Sequence, residues 1–494
     1  MGYGISREIV YNVFDRKVSE KGKGGMEQVQ FTFNKGLRGF AALVKNEGAT
    51  LYAVGGTVRN ALIGLPSTDM DICSNLRPDK IIEICRRNGL RVIPKGLSFG
   101  TVEIRWGSER FEHTTFRSDH YSSGGVHRPT SIEFSDTVEE DAVRRDFSIN
   151  AIYVDILSGE ILDPTGGIPD LEKRIIRTTS ADPYRVLADD GLRILRLVRF
   201  ASELGFDIDG ETFAAAKALC SNLRGVSSER ISEELNKILL SDIKYGERSA
   251  DTVFRGLELL DKVGAIDVIL PELARGRDIK QKPSHHRYDV LYHSLHTASE
   301  CCPKLIMRLS GLLHDVGKPV VHEKTGTMHD HNIVGEAISR EILQRLHYDK
   351  RTVDEVAFIV RNHMYDLNNT AKDSTLRSRF VIWGKERTLE MAEIREADVH
   401  GSGIIRDRVK AADRWRKLLI DMENEGVPFS EKELRCTGSN ICQWLNISAS
   451  PVVGQIKRGM LKHCARFPND NTPERLKLLA KDMLMKSQLT AREE

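Results

Sequence analysis

Val54-Gly55-Gly56-Thr57-Val58-Arg59, followed ten residues after Arg59 by Asp69-Met70-Asp71, is the stretch that decides the fold. The apolar run Leu51 to Val54 reads as a strand, Gly55-Gly56 as a turn, and Val58 to Ile63 as the helix that the turn opens. A second strand then carries Asp69 and Asp71. Side chains alternate along a strand, so these two project together while Met70 points the other way. Glycines let backbone N–H groups approach phosphate oxygens at a helix N-terminus, and Arg59 adds a charged fork. Two carboxylates beside such a turn are what a divalent-metal nucleotide-transfer site needs. A Gly-Gly turn alone, or two spaced aspartates alone, would mean only a tight turn or a solvated strand end.

At 494 residues the chain is too long for one core, so several domains are expected. Hydrophobic content of 40% and charged content of 29% describe a globular protein and exclude a disordered or low-complexity one. Lys+Arg 73 against Asp+Glu 71 leaves a net charge of +2, so any nucleic-acid contact must come from local basic faces. The eight cysteines are scattered without a CxxC pair. That pattern argues against a disulfide framework or a cysteine zinc site and suits a reducing cytoplasm. No apolar run reaches membrane-spanning length and no signal-peptide pattern opens the chain, so no membrane partner is expected. Residues 1–30 read as an N-terminal extension. Gly22-Lys23-Gly24-Gly25 directly precedes Met26 and is encoded by purine-rich codons. Either this tetrapeptide is a translated ribosome-binding site and Met26 is the start, or the segment is a polar extension. Mass spectrometry of the native N-terminus separates the two, since peptides from residues 1–25 contradict a start at Met26.

Residues 31–178 read as mixed α/β, with short strands at Leu51–Val54, Thr101–Arg105 and Ala151–Val154. From about Ser180 the pattern turns helical, and Leu187, Leu192, Leu195, Leu197 and Phe200 recur at near-helical spacing. Pro271 and the polar, basic stretch from Ala274 to Arg287 read as a linker. A histidine-rich helical block runs from about Tyr288 to Gly403, and 404–494 is helical and charged, interrupted at Pro428, Pro451 and Pro468.

Four further segments come after the opening motif in order. They are Arg144-Arg145-Asp146-Phe147-Ser148-Ile149-Asn150-Ala151, then Asp163 to Leu171, then Asp189-Asp190-Gly191-Leu192-Arg193-Ile194-Leu195-Arg196-Leu197-Val198-Arg199-Phe200, then Ser227 to Leu235. With them, residues from about 50 to 240 resemble the class II CCA-adding tRNA nucleotidyltransferase and poly(A) polymerase family, within the DNA polymerase beta superfamily. The resemblance implies that Asp69 and Asp71 are catalytic and hold Mg²⁺, and that Gly55, Gly56 and Arg59 hold the triphosphate. Glu112 is a candidate third strand carboxylate. Arg145 and Asp146 would organise the nucleotide's sugar and phosphates and couple head to neck; Ser148 stands where the family has Thr. Asp163 to Leu171 suits a tight turn and reads as scaffold. Asp190 and Arg193, three apart and hence expected on one helical face, would read the base. Cytosine and adenine each present an amine donor beside a ring-nitrogen acceptor, which an Asp acceptor beside an Arg donor fits and guanine or uracil does not. Arg196 and Arg199 continue the row and are expected near phosphate or the primer end. Asp189 stands where the family has Glu. Ser227 to Leu235 is a helix-start signature with a structural role. The Gly-, Ser- and His-rich stretch from Arg117 to Phe134 corresponds to a flexible loop that the family uses to switch from C to A. Its Gly124-Gly125-Val126-His127-Arg128-Pro129 departs from the usual pattern.

In the second half, His293, His314-Asp315 and Asp398 keep the order H…HD…D, with His331 and His363 between. Leu312-Leu313-His314-Asp315-Val316-Gly317-Lys318-Pro319 resembles the central element of the HD phosphohydrolase superfamily. The resemblance implies a second site, holding a transition metal through His293, His314, Asp315, His331, His363 and Asp398, with His296 an alternative to His293. Imidazole and carboxylate donors suit Mn, Ni, Fe or Mg.

The expected fold class is therefore α+β. An α/β nucleotidyltransferase head at 31–178 is followed by a helical neck at 179–285 that selects the base and binds RNA, an HD domain at 286–403, and a tRNA-binding helical tail at 404–494. The expected enzyme is a CCA tRNA nucleotidyltransferase, with tRNA, CTP and ATP as partners and Mg²⁺ as cofactor. Poly(A) polymerase or partial CC- or A-addition is one alternative; an HD-type phosphohydrolase acting on RNA ends is another. The oligomeric state is left open.

Overall fold

Short apolar strands separated by glycine and polar turns build a seven-stranded mixed sheet in the first part of the chain, and amphipathic helices make up most of the remainder. The computed structural model describes residues 14–18, 29–67, 70–120, 131–246, 250–404 and 407–493. The chain divides between Pro271 and Glu272 into two units. The break lies ahead of the expected neck–HD boundary at about 285. Residues 276–290 belong to the second unit, where Leu291 N–H bonds to the Gly276 carbonyl and Val290 N–H to that of Ile279, each at 3.2 Å.

The first unit opens with β1 (Phe14–Val18) paired antiparallel to β2 (Val29–Phe33). β1 lies within the stretch read as an extension; Met26 itself falls outside the described residues. The main sheet has the order β11-β10-β3-β4-β7-β6-β5. Its strands are β3 (Tyr52–Val54), β4 (Asp71–Ser74), β5 (Arg91–Pro94), β6 (Thr101–Trp106), β7 (Glu109–Thr115), β10 (Tyr153–Asp155) and β11 (Ile161–Leu162). Only β4 and β7 run parallel within it. The third expected strand starts two residues late, because Ser148–Asn150 forms a 3-10 turn that runs into Ala151. β8 (Arg117–His120) pairs with β9 (Ser131–Phe134) beside the sheet, and the Gly124 to Pro129 stretch lies outside the described residues.

Helix α1 (Lys35–Asn46) starts at Asn34, whose side chain accepts the Leu37 N–H at 2.8 Å. It lays Phe40 against Phe111 of β7. Helices α2 (Gly56–Ile63), α3 (Pro78–Arg87) and α4 (Val138–Val143) come next. Helix α5 (Gly167–Lys173) begins where the Asp163 carboxylate accepts the Gly167 and Ile168 N–H groups at 2.7 and 2.9 Å. A Cβ on Gly167 would meet the Ser148 carbonyl oxygen at 2.2 Å, so only glycine fits this turn against the sheet.

Helices α6 (Pro183–Asp189) and α7 (Leu192–Leu204) open the stretch expected as the neck, with α7 packed on α9 (Ser228–Leu239) and α10 (Ala250–Lys262); α8 (Gly210–Ala218) packs on α6. A two-residue parallel pairing of Ile175–Ile176 with Asp207–Ile208 carries strand structure past Ser180, where the sequence pattern turns helical. Among the described residues of the second unit every regular element is a helix. Its core gathers Trp415, Trp383, Phe380 and Tyr365, with ring centroids 5.2–6.3 Å apart. No helix among the described residues is long and apolar enough to cross a membrane.

Trp415 is 1% exposed at the centre of that aromatic group. Trp415→Ala is expected to destabilise the second unit by about 3–5 kcal/mol, through lost transfer energy and the cavity left behind. Urea unfolding followed by the residual tryptophan fluorescence measures it.

Candidate functional site

The Gly-Gly turn and the strand carboxylates meet at one end of the sheet. Gly55 takes φ +80° and ψ −146° as it caps α2, a conformation that L side chains avoid. A Cβ there would lie 3.4 Å from Asp71 Oδ2. Asp71 is exposed at the start of β4, while Ile72, Cys73 and Ser74 are buried. Its register partner across the parallel pair is Glu112, also exposed. Register partners share a face, so the two carboxylates stand side by side. Asp69 lies outside the described residues. The described donors, carboxylate oxygens facing solvent beside a helix N-terminus, fit a hard divalent cation.

A cleft of about 1260 Å³ opens from this point along the neck. Gly55, Gly56, Arg59, Asp71, Arg145, Asp146, Asp190, Arg193, Arg196 and Arg199 all line it. Basic residues outnumber acidic ones two to one in its lining, which is the local basic face that a net charge of +2 conceals.

Several of the expected phosphate ligands are turned inward. Arg59 is 3% exposed. It donates to Asn150 Oδ1 at 2.6 Å, to Asn60 Oδ1 at 2.9–3.1 Å and to the Tyr245 hydroxyl at 3.2 Å. Arg145 pairs with Asp141 at 3.0 Å and donates to the Tyr153 hydroxyl at 2.9 Å. Arg196 holds Asp146 Oδ2 through two nitrogens at 2.5 and 2.7 Å, and Arg199 pairs with Glu234 at 2.9 Å. The Phe200 ring carries Arg59, Arg196 and Arg199 at 4.2–5.3 Å from its centroid.

Asp146 is the hub. Its Oδ1 accepts the Phe147 N–H at 2.8 Å and the Asn150 amide at 3.1 Å. Burial opposes ionisation there, yet Arg196 and Asn150 hold the carboxyl down to about 2. Asp141, 0% exposed, is likewise held to about 2 against burial by Arg145, Arg144 and the Tyr153 hydroxyl.

Asp190 departs from the expected helical row. Its backbone is extended, φ −144° and ψ 108°, in the break between α6 and α7, because α7 begins only after Gly191. Its Oδ1 accepts the Leu192 N–H at 3.0 Å and its Oδ2 pairs with Arg230 at 2.6 Å. The Arg193 guanidinium donates to the carbonyls of Val186 at 2.8 Å and Arg144 at 2.6 Å. Arg230, Asp141 and Tyr245 carry no signal of a site role in the sequence. Their partners Asp190, Arg145 and Arg59 lie 40, 4 and 186 residues away, and an i,i+4 acid–arginine spacing such as Asp141–Arg145 reads as an ordinary helix pair.

The second unit brings all six HD candidates together, five of them at most 3% exposed and Asp398 lying over the cluster. His293, His314 and Asp315 form one donor group; Asp315, His331 and His363 form another, so Asp315 is common to both. Asp398 Oδ1 lies 3.0 Å from His293 Nε2 and 3.6 Å from His314 Nε2. The Nδ1 atoms of His314, His331 and His363 bond to the Gly311, Met328 and Val360 carbonyls at 2.7–2.8 Å, which turns each Nε2 inward. Facing Nε2 atoms come within 3.1 Å of each other in the His293–His314 and His331–His363 pairs. Such convergence of acceptors calls for positive charge at the centre. Burial opposes a charge on His314, yet Asp315 and Asp398 hold its imidazole up at about 10, while burial takes His363 down to about 3. The donor set fits divalent transition-metal ions. His296 instead stacks on Tyr288 at 4.1 Å. Lys318, quoted in the motif but given no role, places Nζ 2.5 Å from Asp315 Oδ2.

Family models match three segments: the poly A polymerase head domain over residues 51–177, a probable RNA and SrmB-binding site of polymerase A over 205–276, and the HD domain over 286–400. Residues 51–177 are thus similar to a poly A polymerase head domain and residues 286–400 to an HD domain. The first match spans the glycine turn, Asp71 and Asp146. The chain is 36% identical over 235 residues to a CCA-adding enzyme of Streptococcus pneumoniae, covering 48% of this chain and 55% of the relative. A CCA-adding enzyme of Enterococcus faecalis is 36% identical over 203 residues, covering 41% and 48%. The chain thus spans about half the length of the curated relatives it matches. Among solved structures, the Bacillus stearothermophilus CCA-adding enzyme in complex with CTP matches with a TM-score of 0.66 at 24% identity, over 92% of this chain and 98% of that one. An apo form of a CCA-adding enzyme matches at 0.59 and 18%, over 91% and 95%. At these identities the likeness is one of fold. It bears out the α+β class, a head sheet followed by a mostly helical remainder.

The folded pKa of Asp146 lies below its ordinary 3.8, so its stabilisation is complete above that pH and is lost as the pH falls toward about 2. The contribution is on the order of 2 kcal/mol. Thermal melts should show the wild-type midpoint falling across this window more steeply than that of Asp146→Asn, which has no carboxyl to protonate. Parallel slopes would contradict the assignment.

Proposed function

We propose that this chain adds C, C and A to the 3′ end of tRNA without a nucleic-acid template, using CTP and then ATP. One observation carries the reading: a single basic cleft joins the Gly55-Gly56 turn and the Asp71 carboxylate to the Asp190 and Arg193 side chains. The N-terminus of α2 favours a triphosphate, and Asp190 with Arg193 offers an acceptor and a donor to the base edge. The names of the curated relatives point the same way.

Asp71, Glu112 and Asp69 would hold Mg²⁺, which supplies activation of the attacking 3′ hydroxyl and neutralisation of charge on the triphosphate. Other roles belong to the chain itself. Backbone N–H groups at Gly55 and Gly56 seat phosphate oxygens. Arg59 braces α2 against Asn150 and Tyr245 rather than reaching outward. Arg145 and Asp146 set the junction on which the nucleotide rests. A cytoplasmic location fits the eight free cysteines.

A second reading stands beside the first on a separate observation, the buried histidine–carboxylate cluster. We infer that it holds divalent transition-metal ions that activate water for hydrolysis of phosphate esters on RNA ends. With Mn²⁺ as the probe, metal analysis of the purified chain is expected to find two ions per chain, one for each donor group. His331→Ala should leave one, and Asp315→Ala none. Unchanged metal content in both variants would contradict the cluster's role.

Nucleotide incorporation into tRNAs ending before CCA, after one C and after CC tests the main reading on a sequencing gel, with CTP, ATP or both. Addition that stops at CCA is expected. CC without A, or A only onto CC, means a partial enzyme, long A tails mean a poly(A) polymerase, and no addition leaves the HD reading alone. Asp71→Ala should lower incorporation at least about a hundredfold while the melting midpoint stays put, because the residue is an exposed ligand. Normal incorporation by that variant would refute the site.

A further inference from the structure

The segment Ser227 to Leu235 starts a helix as its sequence pattern predicts, with Ser227 at the N-cap position of α9 but no capping bond from its side chain. Its first turn, however, does more than start a helix. Arg230 reaches across to the neck break and places Nη2 2.6 Å from Asp190 Oδ2. Both side chains line the same cleft as Asp71 and Gly56.

An aspartate and an arginine that read a base face a physical difficulty. At close range they attract each other, and a pair that closes on itself offers the base neither an acceptor nor a donor. Here each member is engaged by a third group. Asp190 gives one oxygen to Arg230 and the other to the Leu192 N–H. Arg193 spends donors on two carbonyls, those of Val186 and Arg144. Asp190 also sits on extended backbone outside α7, so no helical geometry fixes its side chain. The Leu192 N–H holds one oxygen locally, and a charged restraint on the other comes from across the cleft, from Arg230.

We infer that Arg230 is a specificity-determining positioning residue: it holds the Asp190 carboxylate open toward the base edge and so sets the preference for bases that present an amine donor. The inference rests on the nucleotidyl-transfer reading above. A carboxylate released from Arg230 turns toward the neighbouring guanidinium of Arg193, and discrimination between cytosine and uracil falls. A purely structural Arg230 would slow all nucleotides alike.

The test is kcat/KM for CTP and UTP on tRNA lacking CCA, for the wild type, Arg230→Gln and Arg230→Lys, with melting midpoints recorded in parallel. Arg230→Gln is expected to lower the CTP-to-UTP ratio about tenfold. Arg230→Lys, which keeps the charge but not the planar fork, should lower it by roughly threefold and keeps the test in hand if the glutamine variant does not fold. An unchanged ratio in the folded variants, whatever the absolute rates, overturns the inference while leaving the proposed activity in place. A wild-type chain that adds neither nucleotide overturns the proposed activity itself, and the inference with it.

Discussion

One buried carboxylate holds the first unit's working parts in register. Asp146 bonds through Oδ1 to its own turn, at Phe147 and Asn150, and through Oδ2 to Arg196 of the neck helix α7. Asn150 in turn accepts from Arg59 of α2, the helix that Gly55-Gly56 opens. Through these four polar contacts the Gly55-Gly56 turn, the sheet end and α7 are tied to one point. A buried charge is costly unless it is paired and hydrogen-bonded, and Asp146 is both. The two ends of the cleft come from chain segments more than a hundred residues apart, and this network is what keeps them facing a common space.

The two chemical centres solve opposite problems. In the head, the described metal-type donors are exposed oxygens on a strand end, and the cost of assembling them is small because water screens their mutual repulsion. In the second unit, imidazoles and carboxylates converge in the interior, where Nε2 atoms face one another at 3.1 Å and each ring is oriented by a backbone carbonyl. The first arrangement suits an ion that arrives with its substrate. The second suits an ion that stays.

Much of this was legible beforehand, for physical reasons that differ from site to site. The turn at Gly55 and the carboxylate at Asp71 are visible because a left-handed backbone and a strand-end acid are local demands on residue type. The six HD residues are visible because chemistry restricts them to imidazole and carboxylate at kept order. Arg59, Arg145, Arg196 and Arg199 were legible as members of a site, yet not in orientation. An arginine reads the same whether it faces a phosphate or a buried Asp146, Asp141 or Glu234. Asp190 and Arg193 looked like one helical face until Gly191 placed the start of α7 between them. Arg230 and Tyr245 were not legible at all, since their contacts join residues far apart in sequence.

Asp146 and Arg196 either work as one unit, or the tie between head and neck lies elsewhere. A double-mutant cycle with Asp146→Asn, Arg196→Gln and both together, read as unfolding free energy and as kcat/KM for CTP incorporation, measures this most directly. Strong coupling is the expected result, with the double variant losing little more than either single one and an interaction energy of about 2 kcal/mol in both readouts. Additive losses would show that the carboxylate does not hold head to neck, and would contradict the role assigned to it.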